Sequence, residues 1–253
     1  MVFLGVRGWR HSTGLVKRVR GIFAIGAVSY ALGQILWDFQ WAVDQVAFPA
    51  LSDVFYLGFA PYLIVGLIWT VHRQVSRWEE IVLYLDVGTL LVAFATAILA
   101  FYAPHILSLS WFTVAVLLSY PVAFLAIAAA TWVVTLSLRV QFGTASPYTL
   151  ITGLAFFGFW WVLWFSQIFD GVTHPGTLVG YGFSLAHVWV GLGIAVWEVR
   201  PSESLHVAWL SRFMIGTMPV LGLPLAMAAL IWGQAPVSYT HLSQGRRRRW
   251  GQF

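Results

Sequence analysis

Apolar residues in this chain fall into long, nearly unbroken runs rather than into narrow stripes. Runs close to twenty residues recur at about 21–43, 53–72, 81–103, 111–138, 147–169, 178–197 and 210–233. Stretches of that length match the ~30 Å hydrocarbon core of a bilayer and predict transmembrane helices. A transmembrane barrel would need short segments alternating with a period of two, and lipid leaves no third way to satisfy the backbone. The predicted fold class is therefore an all-α, polytopic transmembrane helical bundle with about seven spans. The run from Trp111 to Leu138 is longer than a span requires, so it must tilt, kink near Pro121 or project into the interface. Pro61, Pro219 and Pro224 also fall inside predicted spans and should kink them.

The polar residues that interrupt the runs set an orientation. Arg7, Arg10, Lys17, Arg18 and Arg20 precede the first span, and Arg73, Arg77, Arg139, Arg200 and Arg212 fall on the same side. The opposite connections, near 44–52, 104–110 and 170–177, carry no Lys or Arg. The positive-inside rule then puts the N-terminus in the cytoplasm. Trp37, Trp41, Trp111, Trp160, Trp161, Trp164 and Trp232 gather toward the outer ends, and Trp69, Trp78 and Trp197 toward the inner ones, as aromatic belts do.

Composition agrees. Of 253 residues 60% are hydrophobic and only 9% charged, with a mean hydropathy of +0.80; soluble domains carry roughly 25% charged residues. The net charge of +5 lies at helix ends, where topology explains it without nucleic acid. The absence of cysteine excludes disulfide and thiolate chemistry. Residues 1–20 read as a basic cytoplasmic segment of a retained signal anchor, because no small-residue cleavage site follows. Residues 21–234 form the membrane domain.

The tail, 235–253, changes character. Arg246 to Arg249 would lie outside after seven spans, against the rule that every other connection obeys. Val237-Ser238-Tyr239-Thr240-His241-Leu242 is what one frame of a transposon-based sequencing adapter encodes. Either an eighth span is missing or the tail is non-native, and the expectation is the second, with the genuine protein continuing further. A basic tail on anionic lipid is the alternative.

Candidate chemistry concentrates between Trp37 and Trp69, which read as a helical hairpin with an acidic, aromatic outer tip. At helical spacing Trp37, Trp41 and Asp44 share one face, as do Asp53, Tyr56 and Ala60 on the next helix. Together they could border a small cavity suited to a cation, an amine or a polar solute. Capping by Ser52 or Asp53 explains part of this pattern. Asp38 lies deeper, and intramembrane acids usually face a partner or water. His187, mid-span beside Tyr181 and Ser184, is expected to bond Gln167, a hydroxyl or a backbone carbonyl. Haem would want a second histidine at equal depth, and His72, His105 and His174 lie nearer the edges; no cluster has metal spacing. Asp86 reads as a structural polar residue, ion-paired near Arg73 and Arg77. The only lysine is Lys17, so a retinal protein is excluded, and no phosphate-binding, serine-hydrolase or metalloprotease motif occurs. No catalytic constellation and no cofactor is expected. A weak internal repeat at an offset of 127 residues aligns Leu36-Trp37 with Leu163-Trp164 and Gly66 with Gly193.

The order Trp37, Pro49-Ala50-Leu51-Ser52-Asp53-Val54-Phe55-Tyr56-Leu57, Pro61 and Gly66-Leu67 resembles the multi-spanning N-terminal region of bacterial diguanylate cyclases and cyclic di-GMP phosphodiesterases. Leu85-Asp86, Ser119-Tyr120-Pro121 and Gly180-Tyr181-Gly182 are similar to later features of that family; Gln34, Ala50 and Ala60 depart from it. The resemblance covers about residues 21–233. It implies a sensory input module whose cytoplasmic signalling domain is missing here, with the lipid bilayer, that domain and a second copy of the chain as partners. A small transporter or channel using Asp38, Asp86 and His187 is the alternative.

Overall fold

The computed structural model describes residues 1–43, 45, 48–72, 74–106, 109–138, 145–169 and 178–199. Seven helices and no strands occur among them: α1 (Val2–Arg10), α2 (Gly14–Ala42), α3 (Leu51–His72), α4 (Arg77–Ile106), α5 (Trp111–Ser137), α6 (Ala145–Phe169) and α7 (Leu178–Val196). All but α1 are long and apolar enough to cross a membrane. The chain is thus an all-α protein of multi-pass membrane type. The span expected at 210–233 and the tail lie outside the described residues, as do Asp44, Arg73, Arg139, His174, Arg200, Arg212, Pro219 and Pro224.

Two helix starts differ from expectation. Residues 2–10 form a helix of their own, and α2 begins at Gly14, well before the first predicted span. A nine-residue segment is too short to show against a window tuned to membrane crossings. Its Gly5 and Gly8, three apart, form a smooth side that lies on α2 and α7. Elsewhere the ends follow local chemistry. Ser110 caps α5 by accepting the Thr113 amide at 3.1 Å. The prolines at 61 and 121 sit inside helices that continue through them. The Phe48–Pro49 peptide before α3 is cis.

Packing follows chain order: α2 against α3, α4 against α5, α5 against α6, and α6 against α7, with α1 bridging α2 and α7. Helix α4 is peripheral; 11% of its apolar window is buried, against 39–44% for the other five. The core runs from Phe23 and Tyr30 on α2 through Phe59, Phe124 and Phe157 to Val190 and Ile194 on α7.

Close approach at glycine sets the tightest contacts. A Cβ on Gly66 would stand 2.2 Å from the ring of Phe23, and one on Gly193 would stand 2.6 Å from the backbone of Leu150. These two contacts are the same contact repeated. Phe23 and Leu150 are 127 residues apart, and so are Gly66 and Gly193. Helix ends agree: α2 ends at Ala42 and α6 at Phe169, while α3 begins at Leu51 and α7 at Leu178. The α2–α3 and α6–α7 hairpins are two copies of one packing unit, and Tyr30 meets its counterpart Phe157 between them at 5.3 Å.

Gly193→Ala should force the α6 and α7 backbones apart and destabilise the bundle by about 1–3 kcal/mol, the usual cost of overpacking. Gly88→Ala, with open space around it, should be neutral or slightly stabilising. Thermal unfolding of the two variants in detergent measures the difference.

Candidate functional site

Asp53 is the third residue of α3, and its carboxylate turns back on the helix start. Oδ2 accepts the Ala50 amide at 2.6 Å, satisfying an N–H that the helix itself leaves open. Oδ1 accepts the hydroxyl of Tyr120, from the middle of α5. Asp53 is 6% exposed, and a carboxylate that deep is tolerated only when hydrogen-bonded. Capping therefore accounts for one oxygen, and a tertiary bond between α3 and α5 accounts for the other. Neighbouring Ser52 is fully buried, and its hydroxyl has no partner among the described residues.

One turn further along α3, Tyr56 donates to Gln34 Oε1 on α2 at 3.0 Å. Gln34 Nε2 donates in turn to Asp38 Oδ1 at 2.8 Å, four residues along the same helix. Gly33 allows the approach, since a Cβ there would lie 2.9 Å from the Tyr56 ring. Gln34 and Asp38 are exposed, whereas Tyr56 and Tyr120 are 5% and 1% exposed. The series thus leads from an open mouth to a closed interior. Tyr56 packs on Tyr30 at 4.7 Å and on Tyr120 and Trp161 at 6.3 Å. Both Asp38 and Asp53 act electrostatically on Tyr56. Trp161 lies over Tyr120 at 4.1 Å, and its indole N–H has no partner among the described residues.

The remaining candidates scatter. Trp37 packs half-buried against the core, but Trp41 is 51% exposed and stands outside the cluster. His187 donates from Nδ1 to the Phe183 carbonyl at 2.6 Å, one helical turn back. Its ring lies against Tyr30 and Phe157 at 4.9 and 4.7 Å, so aromatic rings stand between it and the acidic cluster. Tyr181 and Ser184, expected on its face, are both exposed. Asp86 Oδ2 is enclosed without a hydrogen-bond partner among the described residues. Near that end of the bundle His72 pairs with Glu80 at 3.2 Å instead.

Two participants escape a reading of the sequence, Gln34 and Tyr120. Gln34 lies four residues from Asp38, the spacing of a helical hydrogen-bonded pair. Tyr120 stands beside an intramembrane proline in Ser119-Tyr120-Pro121, yet nothing local connects it to an acid 67 residues away.

The duplication sharpens the picture. At the positions of the second hairpin equivalent to Gln34, Asp38, Asp53 and Tyr56 stand Trp161, Phe165, Gly180 and Phe183. The second copy packs the same unit with no polar group at any of the four. Its aromatic replacements wall the polar site of the first copy: Trp161 and Phe165 both contact Tyr120, Phe165 at 5.9 Å. The polar series therefore occupies positions that the second copy fills with aromatic residues and a glycine.

By class, then, this is a multi-pass helical membrane protein with a hydrogen-bonded acid–tyrosine site at one end of its bundle. No protein-family model, curated protein or solved structure matches the chain.

Tyr120→Phe leaves one buried Asp53 oxygen without its donor. It should lower stability by about 1.5–3 kcal/mol, the range for a hydrogen bond to a charged group. Tyr30→Phe, which removes no recorded bond, should change little. Chemical unfolding in detergent compares them.

Proposed function

We propose that this chain is the membrane-embedded sensory input module of a bacterial signalling protein, acting on a cytoplasmic cyclic di-GMP domain. The observation that carries this reading is the polar series Gln34, Asp38, Asp53 and Tyr56, which the first hairpin carries and the second does not. The second hairpin makes the same glycine contact with Trp161, Phe165, Gly180 and Phe183 at these positions, so that contact does not by itself call for polar groups there. Asp38 and Gln34 form a mouth that a cation, an amine or another polar solute can reach. A solute that takes Gln34 Oε1 competes with the Tyr56 hydroxyl for its acceptor, and one that takes Asp38 competes with Gln34 Nε2 and frees the amide that holds Tyr56. Release of Tyr56 alters the contact between α2 and α3 next to the Asp53–Tyr120 bond, and so biases α5 against α3. A stimulus with different affinity for the two arrangements shifts their populations, which is all that signalling through a bundle requires.

On this reading the protein lies in the bacterial inner membrane with its N-terminus in the cytoplasm, and the Asp38 mouth faces outward. A small transporter is less well supported. His187, the mid-span group such a path would use, already holds a backbone carbonyl of its own helix.

Asp38→Asn and Asp53→Asn, introduced into the full-length signalling protein, should each change basal cyclic di-GMP output or abolish its response to stimulus. Unchanged output and response in both variants would remove these acids from the mechanism. Orientation has its own test, helped by the absence of native cysteine. A cysteine at Gln45 should react with a membrane-impermeant maleimide in intact cells, and one at Gln74 only after lysis; the reverse pattern inverts the topology.

A further inference from the structure

Opposite in charge to the acidic mouth is a groove at the N-terminal end of the molecule. Helix α1 crosses α7 closely enough that a Cβ on Gly8 would lie 2.5 Å from the backbone of Ala195. Where α1 ends, a cavity of about 400 Å³ opens, lined by Leu4, Arg7, Gly8, His11, Arg20 and Ala195. Arg20 forms its fixed wall. Its Nε donates to the Trp197 carbonyl at 2.8 Å and its Nη1 to the Gly8 carbonyl at 3.2 Å, so one guanidinium closes the ends of α1 and α7 together. Arg7 and His11 are exposed, and neither side chain has an ion pair or hydrogen bond among the described residues. Glu198 is the carboxylate that acts on Arg20. Before Asp38 the chain contains five Lys or Arg and no Asp or Glu.

The setting is apolar on its outer side. Phe3 is 74% and Trp9 39% exposed on α1. Leu4 and Ala195 give the groove itself an uncharged wall. Helix α2 starts and α7 ends beside it, which places the groove at the level where membrane-crossing helices meet lipid headgroups.

We propose that this groove binds the phosphate headgroup of an anionic membrane lipid. Arg7 and His11 close on the phosphate, with Arg20 fixed behind them, and Phe3 and Trp9 lie at the acyl boundary. A phosphate offers acceptors in the geometry that guanidinium donors fit. Apolar side chains beside the cations favour a phosphate that carries a hydrocarbon tail over a free one, as in other interfacial helices. The groove is separate from the Asp53–Tyr120 site, and its occupation does not depend on a sensory role.

The test uses the whole chain in nanodiscs of phosphatidylcholine, with or without added phosphatidylglycerol. Lipid retained on release is counted by native mass spectrometry, and thermal unfolding is followed in parallel. The wild-type chain should retain phosphatidylglycerol selectively and unfold at a higher temperature in its presence. Arg7→Gln combined with His11→Gln should lower the selective retention about fivefold or more, on the scale of one basic residue near an anionic surface. Arg7→Lys, which keeps the charge and loses the guanidinium fork, should retain more than the double variant and less than the wild type, and unchanged unfolding in pure phosphatidylcholine shows that the double variant still folds. Arg10→Gln with Arg18→Gln, both exposed and outside the groove lining, should have little effect. The proposal is overturned by no lipid preference in the wild type, or by an equal loss from the Arg10 and Arg18 changes, which would mark diffuse attraction. It is also overturned if inorganic phosphate, added to phosphatidylcholine discs, raises the unfolding temperature as far as phosphatidylglycerol does.

Discussion

Lipid removes the usual reason for helices to associate, because a hydrocarbon chain is as apolar as a leucine side chain. What remains is contact quality: backbones close enough for dispersion to act over many atoms, and the few hydrogen bonds that polar side chains make between helices. In this bundle the first is supplied at glycine. Gly66 admits Phe23, Gly33 admits Tyr56, and Gly193 lies on the backbone of Leu150. Each of these contacts fixes two helices in register, and the site depends on that register. Tyr56 reaches Gln34 only because Gly33 leaves room for its ring.

The two hairpins separate what the fold repeats from what only one copy carries. Both copies keep the glycine contact, the buried positions around it and the helix ends. They differ at Gln34, Asp38, Asp53 and Tyr56, where the second copy carries Trp161, Phe165, Gly180 and Phe183. A polar group inside a membrane protein is costly unless it is bonded, and all four groups of the first copy are bonded, to one another, to the Ala50 amide or to Tyr120. The arrangement also gives the site its walls, because aromatic residues of the second copy cover the tyrosines of the first. At the other end of the molecule Arg20 shows how a single cation stabilises exposed backbone, closing two helix ends and leaving Arg7 and His11 to face outward.

Much of this architecture was legible in the chain. Twenty-residue apolar runs leave a backbone in lipid no alternative to helix, so the predicted spans at 53–72 and 178–197 fall within two residues of α3 and α7. Asp53 announced itself as a helix-start residue for an equally local reason, since an amide three residues earlier has no partner within the helix. The 127-residue offset was visible in a few aligned residues, though only packing made it persuasive. Helix α1 was not legible, because its stability comes from lying on α2 and α7 rather than from its own nine residues.

The sequence by itself therefore determined the solvent, the helical class, most helix ends and the acids worth attention, because each of these follows from length, local hydrogen bonding or charge. Tertiary structure decided which of those acids belong to a site. Asp53 acquires Tyr120 across 67 residues, Asp38 joins through Gln34 and Tyr56, and Trp41 drops out by facing away. No rule of spacing reaches that far. Whether two side chains on different helices meet depends on how the helices are rotated and how closely they approach, and here that is settled by glycines and aromatic rings distant from the acids themselves.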